Sequence, residues 1–124
     1  MKEPRIEDCL ADLEENLQRA VDFAKDSSFE DFGKDYRTQY AVIRALEIMG
    51  ESVKRIPEEV RVLEPMVPWK AMAGMRDRLI HGYDNVNLGL VWSTVCVTIP
   101  PLLPLIAELR QKLRESDTHI QADK

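Results

Sequence analysis

The segment PWKAMAGMRDRLIHGYDNVN, residues 68–87, sets the frame for the chain. Trp69, Met72, Ala73, Met75, Leu79 and Ile80 are spaced as on one apolar face of a helix. Pro68 suits the first turn, where a missing N–H is no loss, and Gly82 suits the end. The spacing predicts a helix from Pro68 to about His81. Arg76, Asp77, His81 and Tyr83 fall within eight residues at its C-terminal end. At about 100° per residue, Asp77 and His81 lie on one face. Arg76 and Tyr83, seven apart, share another face if the helix reaches that far. Arg76 and His81 stand about 140° apart around the cylinder. They can converge on one small ligand only if the helix ends at His81 or a second chain supplies one of them.

Upstream, Ile6, Leu10, Leu13, Leu17, Ala20 and Ala24 form one apolar stripe, predicting a helix from about Arg5 to Lys25. The acids on its other side read as a solvated face. Ser28 with Asp31 three residues on marks a helix restart, which Gly33 interrupts. A second long helix is expected from Asp35 to Arg55. Tyr36, Tyr40, Ile43, Leu46, Val53 and Ile56 are expected on its inner face, with Val42 and Met49 widening it. Gly50 costs this helix about 1 kcal/mol relative to alanine, and close approach of another helix would explain it. Pro57 opens a short helix that Pro65 ends. Beyond the GYDNVN turn a helix starts near Asn87 and carries Leu88, Leu90, Val91, Val95 and Cys96. Pro100, Pro101 and Pro104 mark a break and restart. A last helix takes Leu102, Leu105, Ile106, Leu109 and Leu113 to about Glu115, and 116–124 reads as a frayed tail. The fold class is all-α, an antiparallel bundle of four to five helices in a single domain with its core over about 5–115.

At 124 residues, with 44% apolar and 31% charged residues, the chain can build a real core. No apolar run approaches the length of a membrane span, and MKEPRIEDC lacks the apolar core of a signal peptide. Cys9 and Cys96 occupy apolar helical positions, so buried free thiols in a cytoplasmic protein are expected. The net charge of −5 argues against a broad nucleic-acid footprint. The acidity is local, however. Residues 1–35 hold eleven acids against five bases, while 36–124 hold eleven against twelve.

Taken alone, a histidine near a helix end can simply cap carbonyls, and Arg76 and Arg78 can be ordinary surface residues. Three longer stretches add context: QYAVIRALEIMGESVKRIPEEVR (39–61), VPWKAMAGMRDRLIHGYDNVNLGLVWSTV (67–95) and IPPLLPLI (99–106). Together they strongly resemble the HepT family of the HEPN superfamily, the helical proteins of minimal toxin–antitoxin modules. The resemblance runs from about Ile6 to Leu113. Its most specific part is Arg76-Asp77 followed by His81-x-Tyr83, although many relatives carry asparagine where Asp77 stands. It implies a dimeric, metal-independent endoribonuclease without cofactor. It also implies a nucleotidyltransferase antitoxin that can transfer AMP to a motif tyrosine, here Tyr83.

These residue types suit that chemistry. A histidine titrating near neutrality moves protons, and an arginine fork stabilises charge on phosphate oxygens. Asp77, one turn before His81, could hold the imidazole in one tautomer. A second proton carrier is required, and His119 lies in the expected tail. A twofold axis that brings a second Arg76–His81 pair across a cleft supplies one. It also removes the 140° mismatch and gathers Lys70, Arg76 and Arg78 of both subunits toward RNA. The alternative is a non-catalytic helical dimer that binds and regulates the nucleotidyltransferase.

Overall fold

The computed structural model describes residues 5–81 and 86–122; the side chains of His81 and of 117–122 lie outside that description. The elements are α1 (Ile6–Ala24), α2 (Phe29–Lys34), α3 (Tyr36–Lys54), α4 (Glu58–Arg61), α5 (Trp69–His81), α6 (Leu88–Ser93), a π-helical turn (Thr94–Thr98) and α7 (Leu102–Ala122). No strand occurs among the described residues, so the all-α expectation holds.

The core forms where aliphatic stripes face one another. Leu10, Leu13 and Leu17 of α1 are fully buried, as are Val42, Leu46 and Val53 of α3 and Ile106 and Leu109 of α7. Helix α3 packs chiefly on α1 on one side and on α5 on the other. Caps follow the sequence closely. The Ser28 Oγ accepts from Asp31 N at 3.0 Å, Asp35 from Thr38 N at 3.1 Å, and Asn87 from Leu90 N at 3.0 Å. Gly33 does not interrupt α2, which runs through it to Lys34.

The inner face of α3 differs from expectation. Leu46, Val53 and Ile56 are buried as expected, with Val42 and Met49, but Tyr36 and Tyr40 are 71% and 73% exposed, and Gln39 and Ala45 take their place inside. The reason is charge. The tyrosine stripe continues at helical spacing through Glu47, Glu51 and Lys54, and burying it would strand those charges. Gln39 goes inside because its side-chain amide donates to the Phe32 carbonyl at 2.8 Å, satisfying an end of α2.

Downstream, Val91, Val95 and Ile99 are buried at steps of four, which leaves Leu90 and Cys96 outside. Cys9 is buried as expected; Cys96 is exposed, contrary to expectation. The turn at 94–98 widens to π geometry, with Ile99 N donating to Thr94 O at 2.8 Å, just before Pro100 and Pro101 end it. The chain then bends by 58° into α7. Pro104 sits in the first turn of α7, where its missing donor goes unnoticed. That helix continues past Glu115 to Ala122, since the intervening residues include neither glycine nor proline to stop it. No single described helix is long and apolar enough to cross a membrane.

The acidic side of α1 is not merely solvated. Arg110 of α7 donates to Glu7 Oε1 from Nε (3.1 Å) and Nη2 (2.7 Å), and from Nη1 to Glu14 Oε1 (2.6 Å). Arg114 adds a contact to Glu7 at 3.2 Å. Partial burial pushes the Glu7 carboxyl up, but the hydrogen bonds and charges of Arg110 and Arg114 outweigh it and hold its pKa below the ordinary range.

Candidate functional site: the α3–α5 crossing

At Gly50, α5 comes into close contact with α3. A Cβ at this position would collide with Arg76 Cβ and come within 3.1 Å of the Met72 carbonyl oxygen. Only a residue without a side chain permits that approach, which accounts for a glycine in the interior of a 19-residue helix. The consequence falls on Arg76. The base of its side chain is pressed against the α3 backbone, leaving it 27% exposed, so its guanidinium must run out along the surface of α3.

There it meets Glu51. Arg76 Nη2 lies 3.1 Å from Glu51 Oε2, and Nη1 donates to Asp77 Oδ1 at 3.3 Å. Lys54 Nζ also donates to Asp77 Oδ1, and Arg55 lies 3.5 Å from Glu51 Oε1. Along the crossing the order is Arg55, Glu51, Arg76, Asp77, Lys54, with three cations and two anions alternating. The hydrogen bond from Lys54, with a smaller contribution from Arg76, outweighs desolvation and holds the Asp77 pKa below its ordinary value. Asp77 is therefore an acceptor at neutral pH. The cleft beside this cluster has a volume of about 370 Å³ and is lined by Arg44, Glu47, Glu51, Arg55, Arg76 and Ile80, among others.

The sequence-derived candidates distribute unevenly. Arg76 and Asp77 are together at the crossing. His81 is the last residue of α5, so the helix extends as expected, while its side chain lies outside the described residues. Tyr83 lies outside them altogether. Lys70 sits at the other end of α5, in a separate cleft of about 580 Å³ beside Glu58 and Trp69. This cleft is larger, yet it contains neither Arg76 nor Asp77. Arg78 lines a third, mostly apolar cavity of about 190 Å³ with Met72, Leu90 and Thr94. Within one protomer, then, Lys70, Arg76 and Arg78 line three different cavities, those of Lys70 and Arg78 adjoining at Pro68 and Ala71. Among the described residues, no three His, Cys, Asp or Glu side chains gather as a metal site would require.

Sequence reasoning missed Glu51, Lys54 and Arg55. A signal existed, since Gly50 was already marked as a point of helix contact and these residues border it on α3. What was absent was the register of α5 against α3, which decides that Gly50 meets Arg76.

Chemically, the crossing offers a fixed guanidinium at the edge of an open cleft, two further cations beside it, and carboxylates that hold these until an anion competes. This suits a phosphate.

A family model described as "Ribonuclease HepT-like" matches residues 13–109. A Methanocaldococcus jannaschii protein assigned as an RNase is 42% identical, over 87% of this chain and 89% of its own length. A Thermococcus cleftensis protein assigned as ribonuclease HepT is 45% identical, over 84% of this chain and 94% of its own. A third, from Caldanaerobacter subterraneus and assigned as an RNase, is 45% identical over 90% and 98%. No solved structure matches the chain.

Proposed function

The chain belongs to the HepT-like ribonuclease family, and from that premise we propose that it is a metal-independent endoribonuclease and the toxin of a toxin–antitoxin module. The observation that carries the assignment of the site is the Gly50 crossing, which fixes Arg76 at the edge of a cleft five residues before the end of the motif helix.

In this reading the Arg76 guanidinium binds the non-bridging oxygens of the scissile phosphate and stabilises their growing charge. One imidazole removes the 2′-OH proton, O2′ attacks phosphorus, and the P–O5′ bond breaks. A second imidazole gives its proton to the departing 5′ oxygen. The products are a 2′,3′-cyclic phosphate and a 5′-hydroxyl. A single chain carries one motif histidine, so the second belongs to a twofold-related copy. Asp77 Oδ2 has no hydrogen-bond partner among the described residues, which suits the role of holding the His81 ring. In the same reading Lys70 and Arg78, both exposed on α5, contact the RNA on either side of the cleaved phosphate. A nucleotidyltransferase antitoxin would silence the enzyme by transferring AMP from ATP to the Tyr83 hydroxyl, with release of pyrophosphate, adding phosphate charge to the motif.

The test is RNA cleavage by purified protein in chelator, with end-group analysis of the products. Arg76→Ala and His81→Ala should each lower the rate about 1,000-fold with unchanged circular dichroism. Cleavage that persists in both variants would remove the site. For Tyr83, incubation with partner and ATP should add AMP mass to wild type and none to Tyr83→Phe.

One observation favours a second reading, the non-catalytic dimer that regulates a nucleotidyltransferase. The arginines of the cleft are already paired with acids, Arg44 with Glu47 at 3.2 Å and Arg55 and Arg76 with Glu51. Growth arrest on expression without the partner separates the two readings.

A further inference from the structure

The exposed stripe of α3 that begins with Tyr36 and Tyr40 ends on the Arg76 cluster. At about 100° per residue, Tyr36, Tyr40, Glu47, Glu51 and Lys54 fall within about 60° of arc. The last two of these contact Arg76 and Asp77 directly. The stripe's other end carries two phenol rings, each more than two-thirds exposed, one helical turn apart. Arg37 and Arg44 are exposed beside them, and Arg44 lines the same cleft as Arg76. The acids of this face are Asp35, Glu47 and Glu51, the last of them held by Arg55 and Arg76. Asp35 is taken up by Thr38 through both its backbone N–H and its hydroxyl, and Glu47 is held by Arg44.

We infer that this face of α3 is a binding track for the single-stranded RNA flanking the cleaved phosphate, with Tyr36 and Tyr40 as stacking platforms for its bases. The inference rests on the ribonuclease reading above and specifies its substrate as unpaired RNA. Exposed aromatic rings interleaved with arginine bind single strands without demanding a sequence, because every base has a face to stack. Their spacing fits. Tyr40 precedes Glu51 by eleven residues, about 16 Å along the helix, which a strand covers in about five nucleotides at a stacked rise of about 3.4 Å. A duplex would keep its bases from both rings. The composition of the stripe also distinguishes it from a surface for a second copy. Its one aliphatic member is the partly buried Ile43, whereas Val62, Leu63 and Met66 at the α4–α5 connector form a far more apolar exposed patch.

The experiment titrates a labelled 12-nucleotide RNA, 2′-O-methylated throughout so that binding is read without cleavage, and follows cleavage of the unmodified strand in parallel. Tyr36→Ala and Tyr40→Ala should each weaken binding about tenfold, while Tyr36→Phe and Tyr40→Phe, which keep the ring, should bind as wild type does. Sedimentation should show the same assembly for all four. Equal binding by wild type and both alanine variants overturns the track and leaves the ribonuclease reading standing. Alanine variants that change the assembly show that the face joins copies of the chain, which also overturns it. No cleavage by wild type, with binding still dependent on the rings, sinks the ribonuclease reading and keeps the surface.

Discussion

Two arginines in this molecule sit between two carboxylates each, and they do different work. Arg110 is 18% exposed and makes three hydrogen bonds of 2.6–3.1 Å to Glu7 and Glu14, residues 103 and 96 positions away on α1. Each of its three nitrogens donates to a carboxylate of α1, so the head itself ties α7 to α1. Arg76 is 27% exposed, and its two ion-pair contacts, at 3.1 and 3.3 Å, are longer. One of them goes to its own neighbour in sequence, so it adds nothing to joining helices. What holds Arg76 is the stem of its side chain against Gly50. An arginine fixed by its head is a clamp between helices. One fixed by its stem keeps a head that can exchange a carboxylate for a phosphate.

That contrast should separate in mutants, and the largest effect tests it directly. Arg76→Ala should cost about 1,000-fold in cleavage, as stated above, while lowering unfolding free energy by less than about 1 kcal/mol. Gly50→Ala comes next. A methyl group driven into Arg76 and the Met72 carbonyl must spread α3 from α5, for about 3 kcal/mol by thermal or urea unfolding. Cleavage by the folded fraction should fall as well, because the guanidinium is displaced. Stability unchanged in Gly50→Ala would mean that the stem is not what fixes Arg76. Arg110→Ala is the mirror case. It should lose about 2 kcal/mol of stability, from charge-assisted hydrogen bonds left unmade, with cleavage by the folded protein unaltered.

The same contrast explains what the sequence made legible. Helix order, caps and the end of the motif helix follow from local chemistry: Ser28, Asn87, the prolines and the three-and-four spacing each act within one turn. Gly50 announced a close contact because its cost inside a helix needs a return. Tyr36 and Tyr40 were misplaced on the inner face of α3, since they look apolar until the charges further along their stripe are counted. The partners of Arg76 and of Glu7 were out of reach for a different reason. They depend on how one helix slides against another, and periodicity along a single helix carries no information about that offset. His81 and Tyr83 were assigned by resemblance to a family, which periodicity along one helix cannot supply.

The smallest effect is a pH dependence that distinguishes the clamp from an ordinary surface pair. Arg110 and Arg114 hold the Glu7 pKa below its ordinary value of 4.5 in the folded chain. A carboxyl with a depressed folded pKa binds fewer protons folded than unfolded, so its contribution to stability is complete above the unfolded pKa. It declines as pH falls below about 4.5 and is gone once the folded pKa is passed. Glu7→Gln removes the titration while keeping the shape. Urea unfolding of the two proteins should therefore show wild type ahead at neutral pH, with the gap closing steadily in acid. A gap that stays constant down through that range would mean that Glu7 contributes packing alone and that Arg110 is held by Glu14. The clamp would then rest on one carboxylate, and its resemblance to the two-carboxylate setting of Arg76 would be superficial.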